Sequence, residues 1–380
     1  MGDSKVVSLG LVLDADPEAK VKAAQADQAR AQRPKNLIKS LSELGDGMWL
    51  DQKPDPRPML LKTKGGVDFL PLGIVAMLAA PGGTGKSLAL LQLAVSIAAG
   101  IDWFGCFEPT TTGRVLMAFG EENNSEIKRR LQMISRALSM TPTQQKQVFD
   151  NIDVMPLRGM SCRLQNDGND GPSEFATYLQ TDLDEIAQSS RPWSLIILDP
   201  ASRFMGAEAE ISNAAATRFI EVCENLTKLS GTPTVMLAHH TPKAALGNDV
   251  PKNQSVARGS SALVDGVRLL LTLFPATSED QLVGSRVLNL ELPKTNYTPP
   301  MKTMKLKNDG GAIVQLTDLD KSNLPSSSED RQGACPNTRA PDKVRSVNKF
   351  VKSGASTRSS HGEGSKEADV VPRDEVGDDL

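Results

Sequence analysis

The sequence predicts an α/β fold with a mostly parallel central sheet. Three features carry that expectation. Short apolar runs, IVAMLAA from Ile74, RVLMAFG from Arg114, SLIILDP from Ser194 and TVMLA from Thr234, read as buried strands. Helix-period segments lie between them. Polar residues able to do chemistry sit directly after the strands, where open α/β sheets collect their sites. Residues 1–59 read as an N-terminal extension, either a subunit-contact segment or a flexible tail, 60–320 as the core, and 321–380 as a low-complexity, disordered tail.

The first strand is the most informative. IVAMLAA runs into PGGTGKS and then into the helix pattern LALLQLAVSIAA, which Gly100 ends. Gly82, Gly83 and Gly85 permit tight curvature and expose successive backbone N–H groups. Pro81 and Thr84 complete the loop, and the helix start adds unpaired donors and a favourable dipole. Lys86 can reach terminal phosphates, and the Ser87 hydroxyl can ligate magnesium. Ala80 stands where the common pattern begins with glycine. Strand, loop and helix together describe a cradle for a nucleoside triphosphate.

The remaining elements follow in order. KPDPRP from Lys53 favours an extended connector. Trp103 and Phe104 read as core. The second strand ends at Glu121 and Glu122; a carboxylate there can orient or deprotonate water, Glu121 better placed than its neighbour, or the pair can simply cap a turn. SEIKRRLQMISRAL is an amphipathic helix with Ile127, Leu131, Ile134 and Leu138 on one face. MSCRLQNDGNDGP reads as a surface loop. Ser173 to Ala187 reads as a helix packing through Phe175, Leu179, Leu183 and Ile186. The third strand ends in Asp199, which after a phosphate loop suits the magnesium carboxylate better than a cap on a strand-end turn. SRFMGAEAEISN reads as a mobile loop, followed by a helix that Gly231 ends. His239 and His240 close the fourth strand, where either can serve packing or meet a terminal phosphate. The next loop carries Lys243, Lys252 and Arg258, compatible with a nucleic-acid channel or a solvated surface. Arg268 lies between apolar residues and suits a phosphate across a subunit interface or an internal pair. Lys294 follows another strand candidate, and MKLK-NDGG-AIVQL reads as a terminal hairpin.

Composition narrows the class. Net charge is −3 and aromatic content 4%, which offers no broad base-stacking surface. Cys106, Cys162, Cys223 and Cys335 are scattered without metal-ligand spacing, so zinc is not expected. A secretory signal and a membrane span are not expected either, which points to a cytoplasmic protein without a membrane partner.

The motif order resembles the hexameric replicative helicases of the RepA type, within the RecA/DnaB-like P-loop ATPase superfamily. APGGTGKS, GEEN, LIILDP, LAHHTPKAA, QSVARGSSALVDGVR and LPKTNYT followed by DGGAIV carry the resemblance, over roughly 70–316. It implies a RecA-like core in a ring of six, with ATP and Mg2+ held between subunits. Lys86 and Ser87 would hold phosphate and magnesium, Glu121 would orient water, and Asp199 would complete the magnesium site. His240 would sense nucleotide state and Arg268 would reach a neighbour's ATP. Arg258 and Lys294 would serve the interface, phosphate sensing or DNA-loop positioning, and the loops at 202–213 and 241–257 would face the channel. The implied activity is ATP-driven 5′ to 3′ translocation on single-stranded DNA during replication, with an initiator or primase as separate partner. The alternative is a RecA-like ATPase acting as a recombination mediator or regulatory binding module without unwinding.

Overall fold

The computed structural model describes residues 40–44, 47–166, 171–241, 261–277 and 285–322. The expected short strand in VVSLGLVLD, the helix at 17–33, most of the loop at 241–257 and the tail lie outside these residues. Single 3-10 turns at Leu41–Leu44 and Met48–Asp51 precede the extended connector.

The first strand, β1 (Met59–Thr63), pairs antiparallel with β2 (Asp68–Pro71) and with β4 (Phe107–Pro109) in a small three-stranded sheet. Phe69 and Phe107 stack across it, ring centroids 3.9 Å apart. Trp103 and Phe104 are fully buried as expected, and Trp103 Nε1 donates to the Ala89 carbonyl at 2.9 Å. That bond ties the small sheet to the first long helix.

The main sheet has nine strands. Its parallel part contains β3 (Val75–Ala80), β5 (Arg114–Phe119), β6 (Ile152–Pro156), β7 (Trp193–Asp199), β8 (Thr234–His240) and β9 (Leu269–Pro275). The spatial order is β9-β3-β8-β7-β5-β6. Beyond β9 the sheet continues antiparallel through β10 (Val287–Thr295), β11 (Met304–Asp309) and β12 (Ala312–Gln315). The α/β expectation holds, as a mixed sheet with a parallel half and an antiparallel extension.

Burial on both faces explains the unbroken apolar runs. Ala76, Leu78 and Ala80 of β3 join the core under α1 (Lys86–Ala99) and α2 (Asn124–Ala137). Val75, Met77 and Ala79 join the opposite core under α4 (Glu174–Ser189) and α6 (Asn213–Leu226). The α3 helix (Pro142–Asn151) begins with a capping box between Thr141 and Gln144. Gly100, at φ 68, ends α1 as expected.

Some expectations need correction. The 202–213 segment is not an open loop: it holds α5 (Ala201–Met205) and a 3-10 turn, with Phe204, Met205 and Ala209 buried. The loop after β6 is not wholly surface, because Cys162, Leu164 and Gln165 are buried. The helix expected to run to Gly231 stops at Leu226. Ile186 is 38% exposed, while Leu179 and Leu183 are buried as expected and Ala176 and Ala187 join them.

The terminal hairpin is fastened to α1 by Gln92. Its amide donates to the Ile313 carbonyl and accepts from the Ile313 N–H, both at 2.8 Å, with the side chain fully buried. Replacement of Gln92 by Leu leaves both backbone groups buried without partners. The expected outcome is a loss of about 2 kcal/mol of unfolding free energy, read by denaturant titration.

Candidate nucleotide-hydrolysis site

The carboxyl ends of the parallel strands assemble the site. Ala80 of β3 is in register with His240 of β8, and the Thr241 N–H donates to the Ala80 carbonyl at 3.1 Å. Phe119 of β5 is in register with Asp199 of β7, and the Gly120 N–H donates to the Asp199 carbonyl at 2.8 Å. Glu121 then follows one residue beyond the ladder. Residues far apart in the chain therefore meet because neighbouring strands end together.

The loop between β3 and α1 is tightly curved. Gly83 has φ +74 and Gly85 φ +101, conformations that side chains disfavour. The Thr84 N–H donates back to the Pro81 carbonyl at 3.3 Å, closing a turn. Gly82 and Gly83 are exposed while Lys86 is buried at the start of α1. A cleft of about 310 Å³ opens here, lined by Pro81, Gly83, Gly85, Lys86, Ser87 and His240 together with Arg130.

Lys86 Nζ lies 3.2 Å from Asp199 Oδ1, and the two side chains are only 5% and 4% exposed. Among the described residues, the second Asp199 oxygen and the Thr84 and Thr241 hydroxyls are buried without protein partners. These orphaned oxygens, beside a glycine cradle and a lysine, fit a triphosphate with its divalent cation. Ser87 and Asp199 would hold the cation, and Lys86 and the loop N–H groups the phosphates.

The two glutamates after β5 differ. Glu122 pairs with Arg130 at 2.9 Å, whereas Glu121 is exposed at the strand end. Arg130 also bonds Glu126 at 2.7 Å, and Arg129 with Arg130 holds the Glu126 carboxyl down at about 2. Sequence reasoning missed Arg130, which reads as one more charge on an amphipathic helix.

Burial lowers the His240 pKa, and the Lys86 charge lowers it further, against opposing pulls from Glu121, Asp199 and Glu210. Lys86, Glu121, Asp199 and His240 thus share one electrostatic neighbourhood.

Arg268 and Lys294 sit elsewhere. The Arg268 N–H bonds the carbonyl of Val75, the first residue of β3, whereas the phosphate loop follows the last. The strand separates them by about 16 Å. Arg268 lies 3.7 Å from Glu224, which is the internal pairing considered above. Lys294 donates at 2.7 Å to the carbonyls of Val264 and Asp265 in α7 (Ser261–Gly266). Burial lowers its pKa. Lys243, Lys252 and Arg258 lie outside the described residues.

The neighbourhood of His240 is measurable. Its imidazole is expected to titrate below 6.5, the ordinary value, in a proton NMR titration. Lys86→Ala removes a positive charge beside it, so its pKa is expected to rise. A His240 resonance indifferent to that substitution would contradict the shared pocket.

A family model described as an AAA domain matches residues 21–245, in agreement with this architecture. Among solved structures, one described as an ATPase domain is similar over 80% of this chain and 100% of that one, at 12% identity and a TM-score of 0.47. No helix among the described residues is long and apolar enough to cross a membrane. The family match spans more than half of the chain and includes every cleft residue from Pro81 to His240, so the protein belongs to the AAA-domain family, as a P-loop ATPase.

Proposed function

We propose that the protein is a ring-forming DNA helicase of the RepA type, using ATP to translocate on single-stranded DNA during replication. The observation that carries this reading is the separation of Arg268 from the cleft of its own chain. An arginine at the opposite end of the strands can reach a terminal phosphate only when a second copy presents it. ATP held between copies lets hydrolysis change the contact between them, which is how a ring, most simply of six, becomes a motor.

In this reading Lys86 leaves Asp199 for the incoming phosphates. Ser87 and Asp199 would hold magnesium, which would supply neutralisation of phosphate charge. Glu121, free of the Arg130 pairing that occupies Glu122, orients the attacking water and accepts its proton. His240, kept neutral by burial and by Lys86, donates a hydrogen bond that reports the terminal phosphate to the segment after β8. By the resemblance, the 202–213 segment and the polar 241–257 stretch, with its Lys243 and Lys252, would contact the DNA. A separate initiator or primase would supply what the core lacks.

ATP turnover is expected to rise when single-stranded DNA is added, and a 5′-tailed fork is expected to be unwound. Stimulation without unwinding favours the recombination-mediator alternative; a monomer indifferent to DNA removes the motor reading. Lys86→Ala is expected to abolish turnover, measured as phosphate release. Arg268→Ala is expected to retain nucleotide binding while turnover falls by about 10³-fold. Mixing Arg268→Ala with Lys86→Ala subunits is expected to restore part of the activity, because some interfaces then combine an intact Lys86 with an intact Arg268.

A further inference from the structure

The AAA-domain match ends at residue 245, yet the phosphate loop is held from beyond it. Arg286, directly before β10, donates from Nη1 to the Gly83 carbonyl at 2.7 Å. Its own carbonyl accepts from the Asn308 N–H of β11 at 3.4 Å. On the same side, Ile313 Cδ1 of β12 lies 3.6 Å from where a side chain on Gly85 would begin. Gln92 fixes Ile313 in place through its paired backbone bonds. The antiparallel extension therefore braces the loop at Gly83 and packs against it at Gly85.

The Gly83–Thr84 peptide is held at both ends. Its N–H goes to the Pro81 carbonyl at 3.3 Å and its carbonyl to Arg286. Rotation of that peptide would break both bonds. Glycine imposes little resistance of its own, so a glycine loop without such a brace samples many conformations that do not converge on an anion.

We propose that Arg286 is a positioning residue for the phosphate loop, holding the Pro81–Thr84 turn ready for the triphosphate before it arrives. The proposal rests on the reading of the cleft as the ATP site. A preformed cradle loses less conformational freedom on binding, so the benefit appears as affinity. Arg286 bonds the Gly83 carbonyl and not Lys86, Glu121 or Asp199, so the chemical step changes little. The nucleotide site of this protein therefore includes a residue from the antiparallel extension.

The test uses the full chain, with ATP and ADP binding followed by calorimetry and ATP turnover by phosphate release. Arg286→Ala is expected to weaken both nucleotides by about tenfold and to raise KM alike, with kcat nearly unchanged. Arg286→Lys, which keeps a charged donor, is expected to recover most of the affinity. Both variants are expected to melt with the wild type without nucleotide, since Arg286 is exposed. Wild-type affinity in Arg286→Ala, a loss confined to kcat, or no recovery with lysine overturns the positioning role. Absent wild-type turnover, or turnover indifferent to Lys86→Ala, overturns the ATPase reading and this proposal with it. Normal turnover that needs Lys86 but ignores Arg286 overturns this proposal alone.

Discussion

The carboxyl end of the sheet depends on one buried ion pair, Lys86 with Asp199. Removing two charges from water costs several kcal/mol for each, roughly, and each partner is tolerable only because the other is present. The pair is held by separate constraints: the curved loop delivers Lys86 to the start of α1, and the β5–β7 register delivers Asp199 to the end of its strand. Yet the pair does not satisfy its surroundings. Among the described residues, one Asp199 oxygen and the hydroxyls of Thr84 and Thr241 still lack protein partners. A site with that deficit is matched to a ligand bringing both anionic oxygens and a cation.

Much of this was legible in the sequence because its chemistry is local. Strand, glycine loop and helix occur consecutively from Ile74 to Ala98, and Glu121, Asp199 and His240 each follow their own apolar run. Parallel strands that end level then bring such residues together without further instruction. Helix limits read from capping residues were also sound where a glycine in a left-handed conformation stops the helix, as at Gly100.

What composition concealed was burial inside polar stretches. The segment after Asp199 looks like a loop, but Phe204, Met205 and Ala209 alternate with charged residues closely enough to fold it down. Cys162 and Leu164 do the same after β6. Arg130 and Arg286 were hidden for another reason. Each reaches the phosphate loop through tertiary placement, one from a helix that reads as a solvated face and one from more than two hundred residues beyond Gly83. No spacing rule connects such positions.

The Gln92 contact has a consequence for how the sheet ends. A terminal β-strand normally offers a row of unpaired backbone groups on which another chain can add itself. At β12 that row is already occupied: Gln92 takes the Ile313 N–H and carbonyl, and the Phe104 carbonyl takes the Gln315 N–H. One buried side chain and one loop carbonyl thus act as a surrogate tenth strand. They close this margin against edge-to-edge aggregation and leave β6 as the margin where any growth of the sheet would have to begin.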